Sequence, residues 1–247
     1  MLKFSIYPVL GYQPETSMMF GAIGFIVFSK SGSEQSDHFR PSNISPYFLY
    51  TLNNQMLFAI DVELYLNNDY NLQFKPRLYN YPDFFFGIGN GNEPEDEEIY
   101  TNVFQQVEGT FMKFTDEEWS LGIRFDIQHN TLRDFSENGQ LISSGLPGLR
   151  GGFNVGIGPA AQYDSRDNIL YPGKGAYLRS EVNFYSDALG GDFNYTLFKI
   201  DLRKYFSIKN SKIYWHSRGW AILSAGRKCL FTNCKNRWRY QAPGNCQ

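Results

Sequence analysis

The chain is poor in charge. Asp, Glu, Lys and Arg make up 19% of its 247 residues, against about 25% in an ordinary soluble domain. It also lacks an apolar run long enough to cross a bilayer as a helix. The longest nearly unbroken one, SMMFGAIGFIVF at 17–28, falls short of the roughly 18–20 residues required, and the mean hydropathy of −0.40 agrees. No segment of useful length carries a helical period, which excludes coiled coils and helical bundles. There is no cysteine before residue 229, so the chain is no disulfide-stapled miniprotein. The first residues, MLKFSIYPVLGY, lack the apolar core and small-residue cleavage site of a signal peptide, so no leader is expected there. Aromatic residues are abundant instead, with 22 Phe and 17 Tyr, and that content excludes disorder.

Charge and cysteine are unevenly placed. Residues 227–247 hold five basic side chains, no acidic one, and all three cysteines, Cys229, Cys234 and Cys246. Residues 1–226 therefore carry eighteen basic against twenty-five acidic side chains, a net charge of −7. A basic, cysteine-bearing tail suggests a zinc site or a nucleic-acid arm. The cysteine spacings of 5 and 12, with no histidine nearby, fit zinc poorly. Neither metal nor nucleic acid is expected.

The repeating feature is alternation with period two. In 55–66, Met56, Phe58, Ile60, Val62, Leu64 and Leu66 oppose Gln55, Asp61 and Glu63. In 119–128, Trp119, Leu121, Ile123, Phe125 and Ile127 oppose Ser120, Gly122, Arg124, Asp126 and Gln128. In 176–185, Ala176, Leu178, Val182 and Phe184 oppose Tyr177, Arg179, Glu181 and Asn183. In 196–203, Phe198, Ile200 and Leu202 oppose Lys199, Asp201 and Arg203. Such alternation indicates strands with one apolar and one polar face. About eleven are expected, near 4–12, 17–30, 42–52, 55–66, 70–80, 101–114, 118–130, 153–164, 175–187, 192–206 and 211–224, in one domain over 1–226.

Strand length separates the classes. Soluble strands average about 5–6 residues, whereas these mostly run 11–14, enough for the roughly 9–11 residues of a tilted membrane strand. The fold expected is an all-β, antiparallel transmembrane barrel, apolar outside and polar inside. The lumen would hold Asp61, Glu63, Arg124, Asp126, Glu181, Lys199, Asp201 and Arg203, with outer-membrane lipid as the partner outside. A soluble sandwich with its polar face outward would alternate as cleanly, though eleven strands of this length would make it unusually large.

The segment 153–187 is the most distinctive. YDSRDN at 163–168 ends one strand, and Pro172, Gly173 and Gly175 set a turn into the next. The pattern Tyr-Asp-x-Arg-Asp-Asn followed by Pro-x-x-Gly-x-x-x-Arg resembles the bacterial surface antigen superfamily of the BamA/TamA type. It is carried by Tyr163, Asp164, Arg166, Asp167, Asn168, Pro172, Gly175 and Arg179. YQPETSMMFGAIG near the start, FFGIGN at 85–90 and LGGDFNYTLFKIDLRKYF at 189–206 extend the likeness over roughly 4–226. The resemblance implies a sixteen-stranded outer-membrane barrel that assembles, inserts or translocates outer-membrane polypeptides, with unfolded client chains as partners. It places the turn at 165–174 on the periplasmic side, which puts the long segments 81–100 and 131–151 outside. It also implies soluble POTRA domains, which this chain lacks, and about five further strands.

The tail has its own reading. Back-translated and read one nucleotide earlier, then again from the second base of the Asn236 codon, 228–246 permits VPLYELQKIGGDTKLRGIA, which resembles the loop that follows the eleventh strand in that family. We therefore expect a frameshifted, truncated barrel with a non-native tail at 227–247. Other chemistry is weak. His38, His129 and His216 have no nucleophile motif beside them. GIGNGN at 87–92 lacks the strand-to-helix setting of a phosphate loop, and EPEDEE at 93–98 reads as a solvated loop. No enzyme activity and no cofactor are expected. A passive pore, a soluble β-sandwich binding module and an outer-membrane lipase using His129 or His216 are the competing functions.

Overall fold

A computed structural model describes residues 2–13, 16–28, 41–66, 69–85, 98–116, 118–135, 139–143, 148–168, 172–207 and 214–226. The strands are β1 (Leu2–Gln13), β2 (Ser17–Phe28), β3 (Ser42–Thr51), β4 (Met56–Leu66), β5 (Tyr70–Phe85), β6 (Glu98–Phe114), β7 (Trp119–Arg133), β8 (Gly151–Asp164), β9 (Gly175–Tyr185), β10 (Tyr195–Ser207) and β11 (Tyr214–Gly226). They form one antiparallel sheet in sequence order. Every expected strand is present. Ser186–Gly191, expected in part as strand, instead turns through a short 3-10 helix at Asp187–Leu189, capped by the Ser186 side chain and by Gly190 in the left-handed region. A second short helix, α1 (Gln140–Ser143), lies in the β7–β8 connection. The eleven strands make one sheet rather than two packed sheets, so the sandwich alternative falls.

Alternation in sequence becomes alternation in burial. Along β7, Leu121, Ile123 and Ile127 are exposed while Ser120, Arg124, Asp126, Gln128 and Asn130 are buried. One face of the sheet is thus an exposed apolar surface, reaching 79% exposure at Leu10. The other buries polar and charged side chains, the inverse of a soluble domain. Aromatic pairs sit toward both ends of the apolar face. Trp119–Tyr163 and Tyr70–Phe111 mark the end that carries the β8–β9 turn, with centroids 5.0 and 5.4 Å apart. Phe20–Tyr50 and His129–Phe153 mark the other, at 5.6 and 6.3 Å. Such rings are at home where an apolar layer meets water.

Prolines interrupt the ladder at defined places. The β2–β3 register runs through Ile23↔Tyr47 and resumes at Ile26↔Ile44, skipping the two positions at Pro46. Gaps of the same size lie at Pro76 between β4 and β5 and at Pro159 between β8 and β9. Each of these prolines occupies a position whose N–H would cross to the neighbour, and it has none to give. Pro8 differs, since the β1–β2 register is unbroken through Pro8↔Ala22.

The polar face is concave, because residues of β2–β5 and of β8–β9 together line a single cavity of about 480 Å³. At the end away from the β8–β9 turn, Leu141 of α1 inserts between Tyr100 and Leu132, with Phe85, Phe135 and Leu149 around it. The Leu141 N–H donates to the Glu98 carboxylate at 3.3 Å. The β7–β8 connection is thereby tied to the inner wall. Among the described residues β1 and β11 each pair on one side only, so the sheet is an open, partial barrel.

Candidate functional site

The expected lumen charges, Asp61, Glu63, Arg124, Asp126, Glu181, Lys199, Asp201 and Arg203, all stand on the polar face of their strands. The structure joins several of them into a ladder. Arg77 on β5 lies 3.2 Å from Glu108 on β6, and Glu108 pairs closely with Arg124 on β7. Arg124 reaches Glu181 on β9 at 3.2 Å, and Glu181 receives the Arg179 Nε–H at 2.5 Å. The ladder therefore passes over β8 without a β8 member. The sequence there explains how. The inward positions of β8 facing Arg124 and its neighbours are Gly158, Gly156 and Ala160, too small to obstruct a long side chain. Tyr185 uses the same gap. A Cβ on Gly156 would stand 2.7 Å from the Tyr185 ring, and the Tyr185 hydroxyl crosses to donate to Asp126 at 2.7 Å. Gln106 and Gln128 also donate to Asp126, at 2.7 and 2.9 Å.

Glu108, Arg77 and Tyr185 were not singled out from sequence. Gln73, Lys75 and Arg77 alternate in β5, and Gln106, Glu108 and Thr110 alternate in β6. That signal was available. The G-x-G run in VGIGPA hinted at a close approach across β8, but its occupants belong to distant strands.

Elsewhere on the face the expected residues divide. Asp201 and Arg203 pair with each other along β10 at 3.0 and 2.6 Å. Lys199 stands opposite Glu181 in register. Asp61 lies 3.6 Å from Lys75, and Glu63 receives the Tyr65 hydroxyl at 2.8 Å and the Gln73 amide at 3.2 Å. Asp61 and Glu63 lie in the cavity wall opposite Asp164, Arg166, Tyr177 and Arg179. The cavity thus brings together β4 carboxylates and the β8–β9 motif, more than a hundred residues apart in sequence.

The motif turn is built as follows. Asp164 accepts two bonds from the Arg166 guanidinium, at 2.8 and 2.7 Å, a fork-to-carboxylate pair. The guanidinium of Arg166 lies 4.8 Å over the Tyr177 ring and that of Arg203 lies 5.0 Å from it, so two cations flank one ring. Arg179 donates to Thr110 at 3.2 Å and tethers β9 to β6. Asp167 closes the turn by accepting the N–H groups of Gly173 and Lys174 at 2.9 and 3.1 Å. Slight burial opposes this, but those N–H groups, that of Asn168 and the nearby Lys174 charge hold the Asp167 carboxyl below the usual carboxylate range. Gly175 has φ +110°, and a Cβ there would meet the Ser165 carbonyl at 2.2 Å. Pro172 is half-buried just before it. Tyr163 departs from the rest: alternation turns it to the apolar face, against Trp119. One motif thus supplies a rim anchor outside and an ion pair inside.

His129 lies on the apolar face against Phe153. His38, the glycine-rich 87–92 segment, most of 93–98 and the three cysteines lie outside the described residues, as does the 227–247 tail. Among the described residues no group of three His, Cys, Asp or Glu is placed to hold a metal ion.

Comparison with known proteins places this geometry. No curated protein matches the chain significantly. A family model described as the Omp85 superfamily domain matches residues 26–233, from the last three residues of β2 through β11 and seven residues beyond 226. The match agrees with the surface-antigen pattern of 163–179. The chain belongs to the Omp85 superfamily, whose members are bacterial outer-membrane proteins.

Proposed function

We propose that this chain is part of an outer-membrane barrel of the BamA/TamA type that assembles, inserts or translocates outer-membrane polypeptides. The observation that carries the reading is the Omp85 superfamily match over residues 26–233 on an antiparallel sheet that exposes its apolar face and buries its polar one. β1 is twelve residues long, pairs only with β2 among the described residues, and presents exposed Leu2, Phe4, Ile6, Leu10 and Tyr12 on its apolar side. An unfilled edge in lipid leaves backbone groups unsatisfied at several kcal/mol each. A strand from a client polypeptide relieves that cost by adding to the sheet. The same cost at β11 argues that further strands complete the wall and meet β1 at a seam, which a client strand enters. It supports reading the chain as a fragment with 1–226 the barrel portion; the out-of-frame reading of 227–247 rests on the back-translated loop sequence. The aromatic pairs at both ends support outer-membrane placement, and the resemblance of 163–179 sets the β8–β9 turn facing the periplasm. No catalytic step enters this reading.

The test uses the protein from a repaired reading frame in phosphatidylethanolamine/phosphatidylglycerol vesicles, with an unfolded outer-membrane β-barrel as client. The expected result is client folding several-fold faster than in protein-free vesicles, scored by protease protection. Ion conductance with an unchanged folding rate would replace this reading with a passive pore. Genomic DNA across codons 228–247 tests the fragment claim separately. Nucleotides that do not permit the second frame would end it.

A further inference from the structure

We propose that Pro8 governs how a strand docks on the free edge of β1, dividing that edge into two short ladders instead of one continuous one. The inference rests on the reading of β1 as the client-docking edge and adds a residue that sets its strength and register.

The direction of each backbone group follows from the hydrogen bonds. The Leu52 N–H donates to the Met18 carbonyl at 2.9 Å. Even-numbered residues of β2 therefore turn their backbone groups toward β3, and odd-numbered ones turn toward β1. In the β1–β2 register, odd pairs with odd, as in Tyr7↔Ile23 and Val9↔Gly21. The odd residues of β1 thus bond β2, and Leu2, Phe4, Ile6, Leu10 and Tyr12 aim their N–H and C=O groups at the free edge. Pro8 belongs to that outward row. This is why it leaves the β1–β2 register intact while Pro46, Pro76 and Pro159, each aimed at an existing neighbour, each erase two register positions.

Those three internal cases show what Pro8 does to a strand added to β1. Each loses the pairings of the proline and of the residue before it, so at Pro8 those of Tyr7 and Pro8 are lost, with a ladder over residues 2–6 on one side and one over 9–13 on the other. The occupant is a strand of another polypeptide with the alternation of an outer-membrane strand, because the outward row carries only apolar side chains on its exposed side. Such a seam holds a client strand weakly enough to be released, whereas an unbroken row of donors would retain it.

The experiment uses the full chain in detergent with its three cysteines replaced by serine. The probe is a synthetic twelve-residue peptide of alternating leucine and threonine with a single cysteine. Phe4→Cys and Leu10→Cys, introduced separately, report docking on either side of residue 8 by disulfide trapping. Peptide affinity is measured by fluorescence anisotropy. Pro8→Ala is expected to tighten binding about fivefold, the effect of roughly one further net hydrogen bond, and to make the two reporters trap the peptide in one common register. Pro8→Ala combined with Leu10→Pro, read through the Phe4→Cys reporter, is expected to return the affinity to the wild-type level. Peptide trapped equally well with and without Pro8→Ala would overturn this inference and leave the docking edge standing. Peptide trapped by no variant would overturn both.

Discussion

Gly175 and Asp167 show what single residues contribute to the β8–β9 turn. Replacing Gly175 by alanine puts a Cβ at positive φ and against the Ser165 carbonyl. The expected cost is about 2 kcal/mol, read as a lower urea midpoint in detergent. Asp167 makes the turn pH-sensitive. Its carboxyl is held below its ordinary value, so its stabilisation is complete above the unfolded value of about 3.9 and is lost as pH falls through the lower folded value. Wild type should therefore exceed Asp167→Asn in urea midpoint at pH 7, and the difference should close as the pH is lowered from about 5 toward 2. A difference constant across that range would show that the carboxylate charge is irrelevant to the turn.

Between strands, the ladder of Arg77, Glu108, Arg124, Glu181 and Arg179 links β5, β6, β7 and β9. Arg124 holds two carboxylates at once. Arg124→Leu takes one of two cationic partners from each, since Glu108 keeps Arg77 and Glu181 keeps Arg179; the expected loss is about 1.5–3 kcal/mol per lost pair, read as a lower urea midpoint in detergent. Adding Glu108→Gln and Glu181→Gln should lower the midpoint further, because Arg77 and Arg179 are then left without their carboxylates. A triple variant as stable as the single one would mean that the outer pairs of the ladder contribute nothing to the wall. The glycine gap in β8 is tested by Gly156→Val, which must displace the Tyr185 ring. It should lose at least as much stability as Tyr185→Phe, which removes the hydroxyl bond to Asp126, worth about 1.5–3 kcal/mol as a bond to a charged group, and the longer bonds that the hydroxyl accepts from Asn183 and Gln128.

At the scale of the whole molecule, the described residues form a sheet whose apolar face is the exposed one. Placed in lipid, that face puts Trp119 at the level of the headgroups, beside Tyr163. A variant retaining Trp119 as its only tryptophan should be quenched more strongly by bromines near the headgroup than by bromines at the chain ends. The reverse order, or no quenching, would be incompatible with the proposed orientation of the sheet in the bilayer. The concave face, with cations and anions interleaved, has no single sign along the ladder. Its charges bond strand to strand across the wall, as Arg124 does over β8.

Much of the architecture was legible before folding was considered. Period-two alternation in 55–66, 119–128, 176–185 and 196–203 assigned the faces of β4, β7, β9 and β10, because side-chain direction along a strand is a local property. The turn chemistry of 163–175 was legible for the same reason: a glycine at positive φ, an aspartate accepting nearby N–H groups and an Asp–Arg pair two residues apart all act locally. The 3-10 turn at Asp187–Leu189 was legible only as a break between strands expected at 175–187 and 192–206; its helical form depends on the Ser186 side chain capping the Ala188 N–H and on Gly190 at positive φ.

By itself the sequence determined that the chain forms long amphipathic strands, which side of each is apolar, and where the family turn lies. Only the tertiary structure decided which charges meet. Arg124 and Glu181 are brought together by the registers of two strand pairs and by the glycines between them. Whether a backbone position faces a paired neighbour, as at Pro46, or the free edge, as at Pro8, likewise depends on hydrogen bonds to neighbouring strands. No residue carries that information alone.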